Sequence, residues 1–434
     1  MPLFSSPKLP SVLAEVSYPS YTIKSLGSRH ILIGGGGGAS KTGVRNGIEL
    51  FLLNYNSFPK IGQPSENLRG TKTAEVGTED RSVMNMDCVS AGQLDSGKYL
   101  IAAGEDSFCY FYETTGFQLA SVQSEVDVPS QLSFNFKNVG KVLSVDGRTK
   151  DYQKVVRFDR SSFKPLRVAT GGTNGYVRVW DASDIYQNRV VEFTTASEEI
   201  HAIDFSPCGS MIVTVTKEVE LWGSQTGKRI AVVPDNVPKM PKEKYVPRSA
   251  RFVNLNPHSP KSFLAMAHNS RQVTTKSNCF ISIWGFDREK KQFMNLELKE
   301  IKQERIVVTT VSNCQNYFAI GFATGTVGIF TTRELEQLYY CNAHSNSVTA
   351  IEFLPRRTLD TPNMGRIEQN GNQSPQTFLP GVTSESMVTV VSMSMDKIVK
   401  THQIPYPSGL SFTGFWLKAA FWMMAFYFIL WTIF

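Results

Sequence analysis

Apolar residues along this chain fall into short alternating runs, and almost nowhere at helical spacing. "IHAIDFSPCG" (200–209) and "SVTAIEFLP" (347–355) carry the period-2 pattern of a half-buried strand followed by a turn. A longer unit recurs. "LRVATGGTNGYVRVWDASD" (166–184) pairs an apolar strand, a Gly-rich turn and an alternating strand ending in Trp180 and Asp181. "SMIVTVTKEVELWGSQTG" (210–227) repeats it up to Trp222, "CFISIWGFD" (279–287) up to Trp284, and "YFAIGFATGTVGIFTT" (317–332) up to Phe330. Weaker copies lie at 30–53, 99–116 and 386–404. The spacings Trp180 to Trp222 and Trp284 to Phe330 are roughly 42 and 46 residues, against a propeller-blade period of about 40–45. The wider gap between Trp222 and Trp284 implies an insertion. Seven units predict an all-β, seven-bladed propeller of WD-repeat type, which leaves no long exposed sheet edge. Only Trp180-Asp181 is spelled as the full dipeptide, so the blades are expected to be held more by packing than by that repeat's hydrogen-bond network. Loop insertions are expected at 57–80, 121–150, 234–247 and 356–385, with "NGNQSPQ" (370–376) disordered.

One segment breaks the strand pattern. Residues 412–434 read "FTGFWLKAAFWMMAFYFILWTIF", with Lys418 as the single charge. As a helix, 16 to 23 residues span roughly 24–35 Å, which brackets the ~30 Å hydrocarbon core. Trp416 and Lys418 suit the headgroup level, as do Trp422 and Trp431 within the same segment. The expected organisation is a cytosolic propeller over 1–405, a short linker at 406–411 and a C-terminal transmembrane anchor at 412–434. Residues 1–20 lack the apolar core of a cleavable signal peptide.

Composition adds exclusions. In 434 residues, 41% hydrophobic and 19% charged, a folded chain is expected. The net charge of +7 is spread out. Its densest cluster (Lys239, Lys242, Lys244, Arg248) is broken by prolines and has no interleaved aromatic platform, so no nucleic-acid surface is expected. Six cysteines form no C-x-x-C pair and mostly adjoin apolar residues, as reduced buried thiols do. Histidines such as His201, His258 and His344 show no ligand spacing, and no transition-metal site is expected. No G-x-S-x-G, H-E-x-x-H or framed carboxylate pair occurs; Asp95, Asp106, Asp146 and Asp396 sit near turns, where aspartate stabilises reversals. An interaction platform on a membrane is therefore the reading from residues alone.

The most unusual stretch is "ILIGGGGGASKTGVRNGIEL" (31–50). A P-loop needs G-x-x-x-x-G-K-[ST] before a helix. Here Ser40 occupies the second glycine position, and an apolar strand follows behind Asn46-Gly47, itself a type I′ turn signal. The segment reads as strand, loop, strand, so nucleotide binding is not expected.

With "ATGGTNGYVRVW" (169–180), "LYYCNAH" (338–344) and the C-terminal segment, "GGGGGASKTGVRNG" (34–47) resembles the endoplasmic-reticulum guanine nucleotide exchange factors that start COPII coat assembly, in animals the prolactin regulatory element-binding protein family. The likeness runs the length of the chain, and the first motif is the specific one. The resemblance implies exchange on the COPII small GTPase at the cytosolic face of the endoplasmic-reticulum membrane, with no covalent chemistry. It also implies that a loop of the first blade orders around potassium and enters the GTPase's nucleotide region. Carried over, that loop is Gly38 to Asn46: Gly38, Ala39, Ser40, Lys41, Thr42 and Asn46 would surround the ion, and Gly43, Val44 and Asn46 would contact the GTPase. Val44 stands where the family has an apolar residue, and Arg45 where some members have proline. The physical chemistry is compatible, since converging carbonyls can replace a potassium hydration shell. The alternative is a non-catalytic scaffold of the early secretory pathway.

Overall fold

The computed structural model describes residues 9–27, 29–39, 43–55, 68–92, 97–116, 118–120, 131–146, 150–183, 189–195, 199–234, 236–237, 240–241, 244–256, 259–272, 274, 277–302, 304, 307–314, 316–356, 381–406 and 422–424. Among these, seven four-stranded antiparallel sheets are arranged in a ring. The inner strands are, in order, Ser20–Leu26, Val83–Ser90, Gln153–Phe158, Ala202–Phe205, Tyr245–Val253, Val307–Asn313 and Val348–Phe353. Each touches the next, and the last touches the first. The expected seven-bladed propeller is what forms.

Period-2 alternation explains the assembly. In blade one, Leu32 faces a core shared with blade two, while Ile31 and Ile33 face one shared with blade seven. The same division repeats around the ring, so seven apolar clusters fill the interfaces between neighbouring blades. Ring closure depends on a strand that the sequence pattern did not single out. Ser11–Glu15 pairs with Ile398–Pro405 and supplies the outermost strand of blade seven. Both ends of the propeller thus meet in one sheet.

Several sequence-based expectations need correction. The proposed insertions at 57–80 and 121–150 contain the outer strands Leu68–Gly77 and Phe136–Leu143. These lie at the rim with largely exposed side chains, so they carry no apolar alternation to read. The third insertion holds a small hairpin, Asn236–Val237 against Met240–Pro241, and the start of a long inner strand. The Trp-linked network is also fuller than its spelling suggested. Trp180 Nε1 donates to Thr170 Oγ1 and Trp222 Nε1 to Thr214 Oγ1, both at 2.9 Å. In blade seven His402 takes the tryptophan's place: its Nε2 lies 2.7 Å from Ser392 Oγ, which also lies 2.8 Å from His344 Nε2. All six cysteines are free; Cys88, Cys109 and Cys279 are buried, but Cys208 is exposed.

The inner strands also carry a ring of charge. The residues opposite Leu32, Ala102, Ala169, Val213, Ala265, Ala319 and Val391 are Lys24, Asp87, Arg157, Asp204, Arg251, Ser312 and Glu352. Signs alternate from blade to blade. Strict alternation cannot close on seven members, and Ser312 falls where a charge of either sign would repeat that of one neighbour. Lys24 Nζ lies 2.8 Å from Glu352 Oε2, and Asp87 Oδ1 lies 3.5 Å from Arg157 and 2.7 Å from Arg160.

Of the apolar C-terminal segment, only 422–424 are described; they form a helical turn, with Trp422 71% exposed. Trp416, Lys418 and Trp431 lie outside the described residues, as do 370–376, Asp95, His258, Lys239 and Lys242. Among the described residues no helix is long and apolar enough to cross a membrane.

Candidate functional site

The glycine-rich hairpin joins the second and third strands of blade one, His30–Gly35 and Gly47–Tyr55. Their ladder ends at the pair Gly35–Gly47, and residues 36–46 form the loop. No helix follows, as the strand-loop-strand reading expected. The glycines have identifiable causes. A Cβ on Gly35 would lie 2.2 Å from the Pro19 carbonyl oxygen. One on Gly36 would lie 2.0 Å from Asn46 Oδ1, and its φ of +134° is one that side-chain-bearing residues rarely adopt.

Asn46 does not form a type I′ turn with Gly47, since neither has positive φ. Its side chain instead fastens the loop. Asn46 Oδ1 accepts the Gly38 N–H at 2.8 Å, while Nδ2 donates to the Gly38 carbonyl at 3.2 Å and the Glu79 carbonyl at 3.0 Å. The Thr78 N–H donates to the Asn46 carbonyl at 3.1 Å, and the Gly36 N–H to the Pro19 carbonyl at 2.8 Å. A carboxamide can donate and accept at once, so one 7%-exposed residue joins the hairpin to itself and to a neighbouring corner.

That corner, residues 78–82, has its own support. Arg81 binds Glu79 Oε2 at 2.9 Å and the buried Glu105 Oε2 at 3.1 Å, and stacks over Tyr110 at 4.9 Å. Burial raises the Glu105 carboxyl's pKa, and the Tyr112 hydroxyl and Arg81 oppose that rise. Ser82 Oγ donates to the Gly36 carbonyl at 3.3 Å. The sequence reading did not single out Pro19, Glu79, Arg81 or Ser82; the turn-forming "GTED" (77–80) was the available signal.

Of the loop positions singled out from sequence, the structure joins Gly38 and Asn46 directly. Ala39, Gly43 and Arg45 are exposed and Val44 is half-buried. Ser40, Lys41 and Thr42 lie outside the described residues. Beside the hairpin base is a cavity of about 540 Å³, lined by Gly36, Gly37 and Gly38 together with Tyr21, Met84, Asp106 and Tyr152 among others. Among the described residues no group of three His, Cys, Asp or Glu converges as a metal site.

Fold and loop together define a class: a seven-bladed propeller that presents a preorganised, backbone-rich hairpin at one face, suited to engaging another macromolecule. No family model matches the chain. It is similar to the guanine nucleotide-exchange factor SEC12 of Rattus norvegicus, 26% identical over 374 residues, covering 80% of this chain and 83% of the relative. The factor of the same name from Mus musculus is 25% identical over 381 residues, with the same coverage. The chain is SEC12-like, in agreement with the resemblance carried by its glycine-rich motif.

Proposed function

We propose that the chain is a guanine nucleotide exchange factor for the small GTPase that initiates COPII coats, acting from the cytosolic face of the endoplasmic-reticulum membrane. The observation that carries this reading is the Asn46-fastened hairpin at the propeller face, in a chain whose relatives are named exchange factors. Exchange is catalysis by differential binding, in which the factor must hold the nucleotide-free GTPase more tightly than the loaded form. In this reading Val44, half-buried between exposed Gly43 and Arg45, would offer an apolar tip to the partner's nucleotide region. Asn46 acts one step back, positioning the loop. Ordering a free loop costs about 1–2 kcal/mol per residue, so a hairpin fastened beforehand spends less of its binding energy on itself.

A potassium ion would be held by carbonyl oxygens of Gly38, Ala39, Ser40, Lys41 and Thr42. Its contribution would be rigidity, since Gly38 and Asn46 already satisfy each other's polar groups. Residues 412–434 would form the membrane anchor, keeping exchange where the GTPase inserts once loaded.

The test is nucleotide release from the COPII GTPase with the full chain in detergent micelles, in potassium and in sodium. Acceleration that Val44→Asp removes is expected. No acceleration by the wild type leaves a membrane scaffold as the better reading, and equal rates in both salts remove potassium from the account.

A further inference from the structure

The two mouths of the channel open on opposite faces of the propeller. Tyr21, Met84, Tyr152, His201 and Thr349, at or beside the starts of inner strands, line one chamber. Phe158, Phe205 and Phe252, at or near strand ends, line the other. The inner strands therefore run in one direction. They start on the hairpin side, since Ser20 pairs with Gly35, which pairs with Gly47 at the base of the hairpin. Blade seven keeps this sense: Val348–Phe353 runs away from the hairpin side, Ser386–Ser394 returns, and Ile398–Pro405 runs away again. Tyr406 then packs against Arg356, whose guanidinium lies 5.1 Å from its ring. The chain thus leaves on the face opposite the hairpin. Residues 407–411 lead from there to the apolar segment and can reach at most about 20 Å.

That exit face is cationic at blades four and five. Lys228, in the last turn of blade four, is exposed, as are Arg288, Lys290 and Lys291 in the last turn of blade five; Lys261, in blade five's first turn, is half-buried. Arg288 donates to Ser262 Oγ at 3.1 Å and to Cys208 Sγ at 3.2 Å, which joins the two blades. Glu289 is an exposed acid among them, whereas Asp287 accepts the Glu289 and Lys290 N–H groups, both at 3.1 Å. Glu334, Glu336 and Glu385 lie at blades six and seven, beside Arg333 and Arg356. The hairpin side differs in sign, with Glu79 and Asp80 side chains 77% and 74% exposed.

We propose that the exit face docks on an anionic lipid surface, with blade seven held by its tether and blades four and five by headgroup charge. A single tether leaves the propeller free to tilt, and a cationic patch across the ring supplies a second point of attachment. Headgroup attraction acts within a Debye length of roughly 8–10 Å, and a tether of that reach lets the patch come so close. The same surface repels the acids of the hairpin side. The hairpin is then turned to the cytosol, one strand length from the bilayer-facing side, roughly 20–30 Å for strands of 6 and 9 residues. This inference rests on residues 412–434 as a membrane anchor and not on exchange activity.

The test places the full chain in phosphatidylcholine nanodiscs with or without about 30% phosphatidylserine, each with a trace of headgroup-spin-labelled lipid as quencher. Two dye positions at opposite ends of blade four are compared, Gln225→Cys on the exit face and Lys217→Cys on the hairpin side, with Cys208, Cys314 and Cys341 changed to serine. Phosphatidylserine should raise quenching at 225 at least about twofold, and about 0.5 M KCl should abolish the rise. Position 217 should stay unquenched in both lipids. Lys228→Glu with Lys290→Glu should remove the response to phosphatidylserine; should that variant misfold, the salt series on the unreversed patch decides alone. Quenching at 225 that ignores lipid charge and salt overturns the proposal, and so does stronger quenching at 217 than at 225. Alkaline carbonate extraction from vesicles tells the two readings apart. A chain that is extracted has no anchor, and the docking falls with it; a chain that resists extraction while 225 ignores lipid charge overturns the docking alone.

Discussion

Replacing Asn46 with alanine removes three hydrogen bonds, to the Gly38 N–H, the Gly38 carbonyl and the Glu79 carbonyl. A net value of about 1 kcal/mol each gives about 3 kcal/mol. Gly38 is half-buried and Glu79 largely exposed, so water recovers part of this and about 2 kcal/mol remains. The ends of the loop keep other anchors, namely Gly36 on Pro19 and the Asn46 backbone carbonyl on Thr78. The blade should stay folded while residues 37–39 and 43–45 loosen. At 1.36 kcal/mol per factor of ten, 2 kcal/mol lowers the equilibrium constant for ordering the hairpin about 30-fold. Amide hydrogen exchange on the free protein reads this directly: Gly38 should lose about that much protection and the Leu50 amide none. Nucleotide release on the GTPase should slow only by the factor by which the ordered fraction falls, about twofold if the hairpin starts near 30:1 ordered. Asn46→Asp retains an acceptor for Gly38 but turns two donations into contacts between oxygens, and should be no better than alanine. If Asn46→Ala abolishes release while Gly38 protection is unchanged, Asn46 touches the partner and the positioning argument is wrong. A wild-type-like Asn46→Asp would exclude the hydrogen bonds as the cause.

Two further predictions concern the propeller itself. Burial lowers the pKa of His268 and His402 to about 3 and, with Arg248 and Lys154, that of His201 to about 4, all below the ~6.5 of an unfolded histidine. The unfolded chain therefore takes up protons that the folded one refuses, and the stability present at neutral pH is lost as pH falls below about 6.5, at up to about 1.4 kcal/mol per pH unit for each histidine. Chemical denaturation at a series of pH values measures the slope; a flat profile between pH 6.5 and 5 contradicts it. Deleting residues 1–16 removes the outer strand of blade seven with its buried Leu13 and Val16, worth about 1.5–3 kcal/mol each. Calorimetry should find a melting temperature lower by many degrees, with aggregation through the uncovered strand Ile398–Pro405; an unchanged transition would mean that the ring does not rely on this closure.

How far the sequence could be read depends on which strands face apolar neighbours. The second and third strands of most blades are buried on both faces, so their apolar runs and terminal Trp180, Trp222, Trp284 and Phe330 announced the repeat. The outer strands Leu68–Gly77 and Phe136–Leu143 are half solvated, and their polar side chains looked like loop. At the hairpin, the missing glycine of the P-loop pattern and the strand after it were legible. The role of Asn46 was not, because its partners Gly38 and Glu79 are set by how the hairpin leans on the corner at 78–82.

By itself, then, the order of residues determined local periodicity: which stretches become strands, how often they recur, and that a glycine-rich turn interrupts the first blade. Only the closed ring decided the rest. Ser11–Glu15 finds its partner across almost the whole chain, and charges from six of the seven inner strands come to one level of the channel with their signs alternating. Such pairings are chosen by side-chain geometry between segments distant in sequence, and nothing within any one segment encodes them.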